Sequence, residues 1–200
     1  MSGDQTAGSG DGTRKEWGLL TFPALERPDL LARPVLAALR EWKAPTPLSE
    51  VRVAEIDPQL ADTAECCAAY DIPMGVSANC VVIAGRRAGV TSFVACNVLA
   101  TTRADVNGLV RRWMGTRKAS FARQDDVVAA TGMEYGGITS IGRPPEWPTL
   151  VDAEIPHLSR VVIGSGMRGS KLVLPGWTLG ELPGATTLEG LGKPVPTSES

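Results

Sequence analysis

Apolar positions return along the chain at two periods. Leu31, Val35, Ala38, Leu39 and Trp42 recur at helical spacing, with Pro34 blurring where that helix starts. Residues 51–56 alternate as a strand does, Asp57-Pro58 breaks the alternation, and residues 60–70 read as a short helix. Residues 81–84 and 92–100 are apolar on both alternating faces, the pattern of strands buried on two sides, and residues 85–89 would turn between them. Asp105 is placed to cap a helix whose stripe is Val106, Leu109, Val110, Trp113 and Met114, and Gly115 is placed to end it. Shorter pieces follow: strands at residues 118–122, 150–151, 160–163 and 171–174, and a helical turn or two at 125–130. Strands separated by helices, with one hairpin, predict an α/β domain in which helices surround a mixed sheet.

Composition narrows this picture. A chain of 200 residues, 43% hydrophobic and 21% charged, suits one globular domain rather than two thin-cored halves. The domain is expected over residues 17–191, behind a disordered leader (1–16) and ahead of a flexible tail (192–200), both polar and rich in small residues. A net charge of −2 excludes a wholly basic RNA-coating protein but leaves room for a local basic patch. No run approaches the roughly 20 apolar residues of a membrane span, and the first residues lack the apolar core of a signal peptide, so the expected address is cytoplasmic. Cys66 and Cys67 are adjacent, Cys80 and Cys96 sit in apolar runs, and none shows CxxC spacing. With His157 the single histidine, no zinc site, Ser-His-Asp set or Cys-His pair can be assembled. The thiols read as buried and free, His157 as a surface or turn residue, and no cofactor is implied.

Residues 164–169, Gly-Ser-Gly-Met-Arg-Gly, match a dinucleotide-binding fingerprint, but that motif needs a helix N-terminus directly after it. Ser170-Lys171-Leu172-Val173-Leu174-Pro175 reads as a strand instead, so these glycines form either a tight turn or a wall of exposed backbone N–H groups.

A second glycine cluster, Thr131-Gly132-Met133-Glu134-Tyr135-Gly136-Gly137-Ile138-Thr139-Ser140-Ile141-Gly142, resembles the TG-x-x-x-GG-x-x-P-x-G loop of the YbaK/prolyl-tRNA editing family. Asp62-Thr63-Ala64-Glu65, Ala78-Asn79-Cys80-Val81-Val82-Ile83, Pro148-Thr149-Leu150-Val151-Asp152 and the 164–169 turn follow that family's order, so the resemblance covers residues 49–183. It implies a compact, partly curled mixed sheet with helices around it. It also implies a metal-free hydrolase that cleaves the ester between a wrong amino acid and the terminal ribose of tRNA, using water and the substrate's own ribose hydroxyl. The loop backbone at Gly136, Gly137, Ile138, Thr139, Ser140 and Gly142 is then the candidate catalytic segment, since an activated ester needs mainly orientation and oxyanion stabilisation. Asn79, Lys171, Gly164, Ser165, Gly166 and Asp152 are the candidate substrate-binding residues. Glu134 and Tyr135 are placed at the pocket mouth without a chemical role.

Three positions depart from the family pattern. Asn79 stands where the resemblance implies a functional lysine, Lys171 where it implies an aspartate, and Ser140 where it implies the loop proline. If positions 79 and 171 face one pocket, Lys171 returns the missing cation from the opposite wall. Arg103, Arg111, Arg112, Arg117, Lys118 and Arg123 concentrate positive charge, and Arg111, Arg112, Arg117 and Lys118 are candidate contacts for the phosphates of a tRNA acceptor end. The expected function is an aminoacyl-tRNA deacylase acting in trans on a small mischarged amino acid. The alternative is a catalytically silent relative that binds tRNA, a nucleotide or a protein. Which amino acid, which tRNA and which oligomeric state are not legible in the sequence.

Overall fold

The computed structural model describes residues 12–195. Twelve strands are present among them: β1 (Arg14–Glu16), β2 (Leu19–Pro23), β3 (Arg52–Glu55), β4 (Ala78–Arg87), β5 (Val90–Leu99), β6 (Thr102–Ala104), β7 (Ala119–Phe121), β8 (Thr149–Asp152), β9 (Val161–Gly164), β10 (Ser170–Leu174), β11 (Ala185–Leu188) and β12 (Gly192–Pro194). The α-helices are short: α1 (Arg33–Arg40), α2 (Thr63–Ala69), α3 (Arg111–Trp113), α4 (Gln124–Thr131) and α5 (Trp177–Glu181).

Two five-stranded sheets carry the fold. One, ordered β1-β2-β3-β10-β9, is antiparallel throughout. The other, ordered β11-β8-β5-β4-β7, is mixed, because β8 runs parallel to both β5 and β11. A single bridge between Ser77 and Val162 joins the sheets at the start of β4 and the middle of β9. The α/β class and mixed sheet expected from the sequence are therefore present, with the curl realised as two sheets meeting at one seam. The main core lies between the first sheet and α1, with Val35, Leu39, Val53, Ile163 and Leu172 buried together.

The hairpin is longer than its apolar pattern. β4 and β5 pair from Ala78–Leu99 to Arg87–Val90, so Gly85, expected in the turn, lies in β4 opposite Ser92. The turn is Ala88-Gly89 alone, both at positive φ (49° and 84°), which matches strand twist and lets pairing run to the tip. The Asp105 cap is present: its carboxylate accepts from Gly108 and Leu109 N–H, each at 3.0 Å. The first turn it starts is a π-helix, Val106–Val110, closed by Val110 N–H on the Asp105 carbonyl at 3.0 Å. The candidate stripe thus winds more widely than an α-helix, and Trp113 stays largely exposed.

Two expected boundaries move. Arg14–Glu16, read as part of a disordered leader, form β1 against β2. Buried Arg52 supports that pair by donating to Thr21 Oγ1 at 2.8 Å and Thr21 O at 2.7 Å, while Glu16 meets Arg160 at 3.4 Å. Gly192–Pro194, read as the start of a loose tail, form β12 against β6. β12 owes its state to a partner distant in sequence and β1 to the strand directly after it, and composition registers neither pairing. Residues 1–11 and 196–200 of those two segments lie outside the described residues. No described helix is long and apolar enough to cross a membrane.

Candidate active site

At the seam between the sheets lies a cavity of about 240 Å³. Its walls come from the start of β4 (Ala78, Asn79, Cys80), the end of β9 (Ile163, Gly164), β10 (Lys171), the approach to α2 (Ala61, Asp62, Thr63) and the glycine loop (Tyr135, Gly136, Ile138). Asn79 and Lys171 therefore border one cleft.

Lys171 sits on a central strand, opposite Gly164 of β9 and Ala54 of β3, and only 8% of its surface is exposed. Its Nζ donates to the Ala61 carbonyl at 2.8 Å. No carboxylate among the described residues forms a salt bridge with it. An ammonium has three donors, and the bond to Ala61 is the one hydrogen bond it makes among the described residues. Burial pushes its pKa below the ordinary lysine value. The solvent-pointing edge lysine that a sequence also permits is not what folds. Across the cleft, Asn79 Oδ1 accepts from Thr63 Oγ1 at 2.7 Å, which fixes the amide and turns its NH₂ away from that bond.

The two glycine clusters pack backbone against backbone. Gly166 N–H donates to Gly137 O at 2.7 Å, and Glu134 N–H donates to Gly166 O at 2.9 Å. A side chain at Gly164 would collide with the carbonyl oxygens of Gly137 and Ile138, and one at Gly137 with the Met167 carbonyl at 2.5 Å. Close approach of two chains, rather than turn geometry alone, is why these positions are glycine. The same packing leaves Gly136 N–H and Ile138 N–H without an acceptor among the described residues, beside the cleft that both residues line.

The rest of the expected site is elsewhere. Thr139 and Ser140 are buried behind the loop, where Ser140 Oγ lies 3.2 Å from Asn97 Oδ1. Gly142 packs on the Pro34 carbonyl at the start of α1, at 2.5 Å from where a Cβ would stand. Ser165 is buried with its Oγ 2.6 Å from Ser170 Oγ, and Gly166 packs on Ala32 and Val35. Asp152 ends β8 by accepting from Glu154 N–H at 3.0 Å and from Gly192 N–H, so its carboxylate holds β12 rather than a substrate. The resemblance implied these positions, and the packing of the two glycine turns keeps them out of the cleft. Of the chemistry-bearing neighbours, Cys80 borders the cleft with its pKa pushed up to about 12 by burial, so it is a neutral thiol near pH 7. Cys66, Cys67 and Cys96 are buried and free, and His157 is exposed in a single 3-10 turn.

Arg112, Arg117 and Lys118 are exposed, and Arg111 is partly exposed with its Nε on the Asn107 carbonyl at 2.8 Å. None of the four enters a salt bridge among the described residues. Lys118 directly precedes edge strand β7, which pairs with β4 at Ile83 to Gly85. The tip of β4 adds exposed Arg86 and Arg87 to this edge, because Gly85 pairs with Ala119. That addition needed the hairpin register, which the sequence pattern underestimated.

A family model described as an aminoacyl-tRNA editing domain matches residues 57–182, more than half of the chain, and the chain belongs to that family. The match contains Asn79, the glycine loop and Lys171, so the cleft lies wholly within the family's domain. Solved structures agree on the fold. A protein provisionally assigned as a trans-editing enzyme for prolyl tRNA synthetase superposes with a TM-score of 0.68 at 21% identity, covering 81% of this chain and 96% of its own. A hypothetical protein, APE2540, gives 0.63 at 20% identity over 72% of this chain and 91% of its own. A protein from Marinobacter aquaeolei VT8 provisionally assigned to signal transduction gives 0.52 at 17% identity, covering 78% of this chain and 30% of its own. No curated protein matches the sequence.

Proposed function

We propose that this chain is an aminoacyl-tRNA deacylase acting in trans, which hydrolyses the ester between a small wrong amino acid and the terminal ribose of tRNA. The observation that carries this reading is the convergence on one cleft of buried Lys171, the Asn79 amide and the unpaired N–H groups of Gly136 and Ile138.

Lys171 is the cation for the substrate's phosphate end, replacing from β10 the charge that Asn79 on β4 lacks. Asn79, held by Thr63, supplies hydrogen-bond donors at the old position. The ester carbonyl lies against the Gly136–Ile138 backbone. Water adds to the carbonyl carbon, the carbonyl electrons move to oxygen, and the N–H pair stabilises that oxyanion. Collapse breaks the bond to the ribose oxygen, which takes the proton given up by the attacking water, relayed by the neighbouring ribose hydroxyl. The products are the free amino acid and intact tRNA. A cleft of about 240 Å³, below the roughly 300–1,000 Å³ of drug-sized sites, favours a small acyl group. The basic edge from Arg111 to Lys118, with Arg86 and Arg87, supports binding of the acceptor stem through phosphates.

The test is hydrolysis of a panel of mischarged tRNAs by wild type and Lys171→Ala. Release of one small amino acid, slowed at least tenfold in the variant, is the expected result. Release that ignores the substitution discards Lys171 as the cation. Asn79 favours a second reading, a silent relative that only binds, and tRNA binding without release from any substrate would establish it.

A further inference from the structure

Two charges of opposite sign line the cleft, Lys171 and Asp62, and they do not pair with each other. Lys171 Nζ is tied to the carbonyl of Ala61, the residue directly before Asp62. Asp62 is the N-cap residue of α2, where an aspartate ordinarily accepts from N–H groups of the first turn, but its side chain makes no such bond. Its carboxylate turns instead to Arg168, whose Nη1 lies 3.6 Å from Oδ1, and 67% of the Asp62 side chain stays exposed.

Arg168 reaches Asp62 from the glycine loop. Its backbone N–H donates to Glu134 Oε2 at 2.7 Å, and its Nη1 donates to the Tyr135 carbonyl at 3.3 Å. The guanidinium passes over Gly136 so closely that a Cβ there would collide with Nη1. One side chain thus ties the glycine loop to the approach to α2, two walls of the same cleft. The tie is loose, because an exposed ion pair at that distance holds weakly. The neighbouring carboxylates are engaged or placed elsewhere. Glu134 holds the Arg168 backbone and lines an adjoining groove, and Glu65, in the first turn of α2, does not line the cleft.

An amino acid ester brings one charge that the hydrolytic scheme leaves without a partner, the α-ammonium two bonds from the carbonyl carbon. Lys171 repels it, and Asp62 is the one carboxylate among the residues that line the cleft. We propose that Asp62 receives this α-ammonium, exchanging the Arg168 guanidinium for it, and so selects esters whose α-amine is free and charged. The exchange conserves charge, since the carboxylate leaves one cation for another, and Arg168 keeps its bonds to Glu134 and Tyr135. Esters of N-blocked amino acids are then poor substrates. This inference rests on the deacylase reading, but the selection by charge can be tested where hydrolysis fails.

The experiment uses two forms of one tRNA. The first carries the amino acid released in the panel, and the second carries the α-hydroxy acid with the same side chain, a neutral group of nearly the same size. Each kcat/KM is divided by the uncatalysed rate of its ester. Wild type should favour the amino ester at least fivefold. Asp62→Asn, close in shape and uncharged, should lower the amino ester about fivefold and the hydroxy ester less than twofold, which removes the preference. Arg168→Gln, which takes away the competing cation, should keep it. No preference in wild type, a preference that survives in Asp62→Asn, or one lost in Arg168→Gln would overturn the assignment. If wild type hydrolyses no ester, the deacylase reading fails, and filter binding of alanyl-tRNA against lactyl-tRNA decides. Tighter binding of the alanyl form, lost in Asp62→Asn, supports the ammonium site. Equal binding, no binding, or a difference that persists in Asp62→Asn overturns it.

Discussion

Lys171→Met should make the protein more stable while removing its activity. In the wild type the Lys171 ammonium is almost wholly buried on a central strand, with one hydrogen bond to the Ala61 carbonyl and no carboxylate partner among the described residues. Moving such an ion out of water costs several kcal/mol even after relaxation. A hydrogen bond from a charged donor offsets about 1.5–3 kcal/mol of that. Methionine keeps the unbranched stem and its packing, so substitution removes the charge penalty and the bond together. The expected net gain is about 1–2 kcal/mol, equivalent to roughly 2–8 °C in Tm for a chain of this size. The pH dependence makes the cause identifiable. Burial lowers the folded-state pKa of Lys171 below the ordinary 10.5, so between those two values the unfolded chain holds more protons. Wild-type stability should therefore rise with pH across that window, and the advantage of the methionine variant should shrink as pH approaches 10.5. Thermal unfolding of both proteins from pH 7 to 10.5 measures this. A methionine variant less stable than wild type at pH 7, or a gap independent of pH, would refute the account of Lys171 as a buried cation without a salt-bridge partner.

Other substitutions separate packing from chemistry. Gly164→Ala would drive a Cβ into the Gly137 and Ile138 carbonyls, so it should lower Tm by several degrees and abolish deacylation together, as calorimetry and the tRNA assay would show. Ser140→Ala loses only the contact with Asn97, behind the loop. It should cost about 1 kcal/mol in denaturant unfolding and leave kcat within twofold. The Arg111→Glu/Arg112→Glu double variant should weaken tRNA binding and flatten its salt dependence, measured by filter binding at several salt concentrations, without altering hydrolysis of a small aminoacyl ester.

The sequence alone was enough for the class of fold and for the central hairpin, because those depend on local periodicity that the apolar residues of β4 and β5 spell out. It also located the glycine loop and the exchange of charge between positions 79 and 171. It was blind where a segment's state depends on the strand it pairs with rather than on its own composition. β1 and β12 are polar and short, and they are strands because β2 and β6 offer backbone groups to pair. Pocket membership was just as opaque. Gly136 and Ile138 face the cleft while Thr139, Ser140 and Gly142 do not, a distinction set by how two glycine turns press together. Asp152 looked like a ligand and is a clasp for β12. Only the tertiary structure could decide that Lys171 and Asn79 share a cleft, because that contact forms where two separate sheets meet at a single bridge.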